Sequence, residues 1–169
     1  MSGEGAVAAK LKEWGVVRKT PITGRDGKLS SFYCEIKAQY GDPERLRYLA
    51  DALWNLMTTK PTCVAAGGYG GVPLAVTIAL LHNVKLTLIR DLPKSHGKGG
   101  VIEGHLPQSS DRVVVVDDKI VTGYSMTTLL GKVRGLQTEI VGVYVIVDVR
   151  ESLDGFSVAS LVSAHDLTH

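Results

Sequence analysis

The stretch Arg112-Val-Val-Val-Val-Asp-Asp-Lys-Ile-Val-Thr-Gly-Tyr-Ser125 runs from one charge, through four valines, to a pair of acids and a small polar turn. Four consecutive valines between charged residues predict a strand buried on both faces, the mark of a parallel sheet. Asp117 and Asp118 then stand at the strand's end. Met126 to Arg134 has apolar spacing that suits a helix, so Thr122, Gly123, Tyr124 and Ser125 lie where a helix begins. A strand, a short Thr/Gly/Ser loop and a helix N-terminus form a phosphate cradle, because free backbone N–H groups and hydroxyls converge on one anion. Carboxylates beside it suit sugar hydroxyls or a divalent metal with oxygen ligands. On these residues alone, a core strand capped by surface acids is an equal reading.

The chain around this stretch sets the context. Its 169 residues, 44% hydrophobic and 21% charged, predict one soluble domain with a sizeable core. A net charge of +2 gives no electrostatic case for nucleic acid. Cys34 and Cys63 lack CxxC spacing and read as buried reduced thiols in a cytoplasmic protein. The start, Met-Ser-Gly-Glu, has neither a basic nor an apolar signal region. Thr62 to Leu81 carries no charge, but its glycines and Pro73 predict strand–turn–helix rather than a membrane span.

In order, Gly5 to Gly15 predicts an amphipathic helix, and Val16–Ile22 with Lys28–Ala38 a hairpin across the turn residues 23–27. These make a small N-terminal lobe over about residues 1–40, with the core over 41–169 of a single domain. Asp42 and Pro43 open a helix whose stripe is Leu46, Leu49, Ala50, Leu53, Trp54 and Met57. Cys63–Ala66 is a short strand, Gly67-Gly-Tyr-Gly-Gly71 a turn where backbone approaches a ligand, and Val72–Leu81 a helix. Leu86–Ile89 is a strand, and the polar, glycine-rich run from Arg90 to Val101 a lid-like loop. Ile140–Val147 and Phe156–Val162 complete the strands. Strands alternating with helices predict a parallel α/β sheet.

Three stretches together, Ala65–Ala75, Arg90–Gly104 and Val113–Ser125, resemble the type I phosphoribosyltransferases and, within them, the orotate phosphoribosyltransferases. Gly27–Tyr33, Val147–Glu151 and Ser160–Leu167 extend the similarity over nearly the whole chain. The resemblance implies a central parallel sheet flanked by helices under a small N-terminal hood. It implies transfer of phosphoribosyl from 5-phosphoribosyl diphosphate (PRPP), with Mg2+, to a ring nitrogen of a planar base, with orotate as first choice and pyrimidine biosynthesis as the setting. Thr122, Gly123, Tyr124 and Ser125 are implied to hold the 5′-phosphate. Asp117 and Asp118 are implied to face the ribose hydroxyls and the magnesium-bearing substrate. Gly68 and Tyr69 fall in the family's pyrophosphate loop, which carries a non-proline cis peptide. Arg90, Lys94 and His96 match its catalytic loop, which closes over the neighbouring subunit of a homodimer with shared sites. Arg25, Phe32, Tyr33, Val121 and Arg150 fall at or beside base-binding positions; no nucleic acid or membrane partner is implied.

The chain departs from the family pattern in four places. Asp91 replaces the loop's second basic residue, Val121 a base-binding Thr, Val149 an Arg that meets the orotate carboxylate, and Arg25 a Lys. An orotate-type enzyme acting on another heterocycle therefore stands as an alternative, and so does a non-catalytic PRPP-binding regulator.

Overall fold

The computed structural model describes residues 3–18, 22–23, 29–30, 33–93, 100–150 and 157–168. The helix α1 (Gly3–Glu13) leads into two short antiparallel pairs, β1 (Val17–Arg18) with β4 (Tyr33–Cys34) and β2 (Ile22–Thr23) with β3 (Leu29–Ser30). The expected second hood strand, Lys28–Ala38, ends early: Lys37–Gly41 is a 3-10 turn rather than strand. Asp42 then caps α2 (Pro43–Leu56), its carboxylate accepting from the Glu44 and Arg45 N–H groups.

The remaining elements are β5 (Cys63–Gly67), α3 (Gly68–His82), β6 (Lys85–Ile89), β7 (Ile102–Gly104), β8 (Arg112–Ile120), α4 (Tyr124–Arg134), β9 (Glu139–Asp148), β10 (Ala159–Ser163) and α5 (Ala164–Thr168). One sheet has the order β10-β9-β8-β5-β6-β7, parallel throughout except where β7 runs antiparallel to β6. The short β7 was not expected from sequence. Among the described residues no helix is long and apolar enough to cross a membrane.

The four valines of β8 are apolar on both faces because both faces are covered. Val114 and Val116 join Leu49, Leu53, Leu74 and Ile78 in one core, whereas Val113 and Val115 meet Leu129, Leu130 and Val133 of α4 in another. Each is fully buried, and burial of one such side chain is worth roughly 1.5–3 kcal/mol. Cys34 and Cys63 are buried free thiols, as expected.

The topology also places the site. After β5 the chain crosses to β6 on one side, and β8 lies on the other. The carboxyl ends of β5 and β8 thus open a crevice at a switch in strand order, where ligands bind in open parallel sheets.

Candidate active site

The crevice joins two segments that sequence analysis singled out separately. β5 ends in Gly67 and α3 begins at Gly68, so the glycine run is the first turn of a helix rather than a turn preceding Val72. No cis peptide occurs among the described residues; Gly68, at φ 68, makes the change of direction instead. Opposite lie Asp117 and Asp118 near the end of β8. A methyl group on Gly70 would stand 2.5 Å from the Asp117 carboxylate and closer still to that of Asp118. Only glycine permits this approach, which sets the backbone of the α3 N-terminus against both acids. The free N–H groups of that turn favour negative charge beside them.

Two residues that the motifs did not flag hold this arrangement. Tyr40, in the 3-10 turn, donates its hydroxyl to the Gly70 carbonyl at 2.8 Å. Burial, then the charges of Asp118 and Asp117, hold its phenol far above the usual range, so it remains a donor. Lys37 reaches Asp118 Oδ2 at 3.2 Å, and the Asp118 N–H donates to Asp117 Oδ1 at 2.8 Å. Asp118 is buried with this cation beside it. Burial and the Asp118 charge push the Asp117 carboxyl up to about 7, so the pair retains a proton near neutrality. The sequence signal for Lys37 is a lysine just past the hood strand, obscured because the alternation over Lys28–Ala38 predicts strand where the chain forms a 3-10 turn.

The candidate phosphate cradle follows directly. Thr122 and Gly123 make the turn, Thr122 Oγ1 accepts from the Tyr124 N–H at 3.4 Å, and Tyr124 and Ser125 open α4. Thr122, Tyr124 and Ser125 are exposed, as is Tyr69 on α3. Arg90 stands at the end of β6, its guanidinium 3.5 Å from Glu103. The Arg90 N–H donates to the Val101 carbonyl at 2.7 Å, closing the root of the glycine-rich loop. Lys132 of α4 steadies that root by donating to the Arg90 and Asp91 carbonyls. Lys94 and His96 lie outside the described residues, as do Arg25 and Phe32.

On the candidate base side, Val121 is 53% exposed and Val149 is packed against the core. Arg150 forks onto Asp148, with contacts of 3.0 Å from Nε and 2.7 Å from Nη2, and its side chain is only 5% exposed. Burial raises the Asp148 carboxyl, but the hydrogen bonds and charge of Arg150 outweigh it and bring it below its ordinary value. Tyr33 is half-buried, and Lys119 stands 4.6 Å from its ring centroid while donating to the Cys34 carbonyl at 3.0 Å. Burial pushes the Cys34 thiol up to about 11, so it is no nucleophile.

Among the described residues, no cluster of three or more His, Cys, Asp or Glu forms a metal cage. Two adjacent carboxylates at a crevice mouth fit instead a magnesium ion that keeps most of its ligands from a phosphate-bearing substrate.

A doubly covered parallel sheet, acids at its switch point and a helix N-terminus after them are the type I phosphoribosyltransferase architecture. The structure aligns with the crystal structure of orotate phosphoribosyltransferase from Aeropyrum pernix at a TM-score of 0.81 and 26% identity, over 95% of both chains. In sequence it is 33% identical over 153 residues to the orotate phosphoribosyltransferase of Pyrococcus horikoshii, covering 83% of this chain and 80% of that one. It is 32% identical over 172 residues to that of Methanothermobacter thermautotrophicus, covering 94% and 91%. No family model matches. The chain belongs to the orotate phosphoribosyltransferase family.

Proposed function

We propose that this enzyme transfers the phosphoribosyl group of PRPP to a ring nitrogen of orotate, giving orotidine 5′-monophosphate and pyrophosphate. The observation that carries the reading is the seat of Asp117 and Asp118 against Gly70 at the mouth of the crevice, ahead of the Thr122–Ser125 turn. In the reaction the C1–O bond to pyrophosphate breaks, its electron pair leaves with the oxygen, and a C1–N bond forms. Asp117 and Asp118 accept hydrogen bonds from the ribose hydroxyls and offset the positive charge that develops on the ring. The 5′-phosphate sits on Thr122, Gly123, Tyr124, Ser125 and the N–H groups of α4's first turn. Gly68 and Tyr69 face the pyrophosphate, and Arg90 with Lys94 stabilises its departing charge. His96 supplies a hydrogen bond or proton on the same side. Asp117 and Asp118 would hold magnesium through the substrate, and the ion would supply positive charge against the departing diphosphate.

The sharing of sites in a homodimer, with the Arg90–Val101 loop of one subunit serving the other, is part of the same reading, and so is a cytoplasmic setting. Buried reduced thiols support the latter. The test is PRPP-dependent pyrophosphate release with orotate and a panel of neutral heterocycles, on a preparation sized by light scattering. Orotate turnover by a particle of twice 18.1 kDa is expected. Turnover of another base alone would replace orotate as substrate. PRPP binding by calorimetry without turnover of any base would favour a regulator.

A further inference from the structure

The proposed substrate carries a carboxylate, and a carboxylate taken into a closed site needs a cation or several N–H donors. Around the crevice the described cations are mostly engaged. Lys37 is paired with Asp118, Arg90 with Glu103, and Arg150 is forked onto Asp148. Lys132 is spent on two carbonyls at the loop root. Among the described residues, Lys119 differs from the three paired cations in lacking a carboxylate, and from Lys132 in donating to one carbonyl rather than two. It directly follows the acid pair on β8, is half-buried, and has no carboxylate partner among the described residues. Its ammonium has three N–H donors; one goes to the Cys34 carbonyl, and the Tyr33 ring lies against the cation. A half-buried cation held by a carbonyl and an aromatic ring has its charge unmatched, and it borders the candidate base position at Tyr33.

We propose that Lys119 is a specificity-determining residue, the cation that receives the carboxylate of an anionic pyrimidine base. The inference rests on the orotate reading above and adds the residue that enforces it. It explains how the chain manages with Val121 and Val149 where no side-chain donor is available. It also gives the hood a part in selection: β4 positions the ammonium through the Cys34 carbonyl, and Tyr33 offers the flat surface beside it.

The experiment compares wild type with Lys119→Met, Lys119→Gln and Lys119→Arg. The KM for orotate, the KM for PRPP, and inhibition by the neutral carboxamide of orotate are measured in each. Lys119→Met and Lys119→Gln are expected to raise the orotate KM by roughly tenfold or more, as loss of a charge-assisted hydrogen bond does. The PRPP KM and the carboxamide inhibition constant should stay within about twofold, and Lys119→Arg should recover most of the orotate affinity. Gln keeps a donor for the Cys34 carbonyl without charge, so it carries the test if the Met variant loses the fold. An unchanged orotate KM, or equal losses for orotate and its carboxamide, overturns the inference and leaves Lys119 as a hood anchor. If wild type itself turns over no orotate, the substrate reading fails first and takes this inference with it.

Discussion

Strand β8 has an acidic centre at each end, and the two are built in opposite ways. Asp111, just before the strand, is 2% exposed and saturated. It accepts from Thr62 Oγ1 at 2.8 Å, Lys85 Nζ at 2.9 Å, His105 Nε2 at 2.7 Å and the Gln108 N–H at 3.0 Å. The Gln108 N–H first, then His105 and Lys85, hold its carboxyl far below the usual range. At the other end, Asp117 and Asp118 share one lysine between two carboxylates, and the Asp117 carboxyl rises to about 7. Both centres are conspicuous acids beside the same run of valines. The difference is whether the protein itself supplies the counter-charges. Where it does, the acid ties β5, β6 and the exit of β7 together; where it does not, the carboxylates stay short of counter-charge, which is what the proposed binding of ribose hydroxyls and magnesium requires.

The largest effect that separates the two ends is on turnover. Asp117→Asn with Asp118→Asn should reduce kcat by about a thousandfold or more, on the scale of lost electrostatic stabilisation in a closed site. The melting temperature should hold or rise, because the buried repulsion within the pair is removed and only the half-exposed Lys37 contact is lost. A folded double mutant with wild-type turnover would end the assignment. Asp111→Asn should do the converse. Losing a buried anion from four donors costs about 2–4 kcal/mol of stability, moderated because Lys85 stays half in water. Its kcat, measured well below the new melting point, should be close to wild type. A large kcat loss in a stable Asp111→Asn protein would merge the two centres into one functional unit.

The same contrast shows what the sequence makes legible. Val113–Val116 announced their strand because burial on both faces leaves no polar position in the run. Asp42–Pro43 announced a helix start, since capping is local chemistry. The acid pair and the Thr-Gly-Tyr-Ser turn were readable because contiguous residues carry them. What escaped is assembled across distance. Asp111 is an ordinary loop acid until Thr62, Lys85 and His105 fold onto it. Lys37 and Tyr40 acquire meaning only when a 3-10 turn, in place of the expected strand, carries them to Asp118 and Gly70. Arg150 read as a cation available to the base until Asp148, two residues away, claimed it. Lys119 was hidden inside the motif that made its neighbours obvious.

The smallest effect is the pH dependence of the ligand-free protein, and its sign divides the two ends. Burial and the Asp118 charge push the Asp117 carboxyl up to about 7 in the folded state, from 3.8 for a free carboxyl. Between those values the folded state holds more protons than the unfolded state, so its contribution to stability falls as pH rises and the penalty is complete above about pH 7. Asp111 is the reverse case: its stabilisation is present above the unfolded pKa and is lost only as pH falls through the lowered folded value. Melting temperatures from about pH 5 to pH 8 therefore isolate Asp117, because Asp111 stays ionised over that window in both states. Relative to wild type, Asp117→Asn should gain a few degrees as pH increases, whereas Asp111→Asn should lie below wild type across the whole window. Saturating PRPP with Mg2+ should flatten the wild-type profile, since the ligand supplies the partners that the free carboxylates lack. If wild type and Asp117→Asn run parallel across the window, the pair does not hold its proton as described. The distinction between a satisfied and an unsatisfied end of β8 would then rest on hydrogen-bond geometry alone.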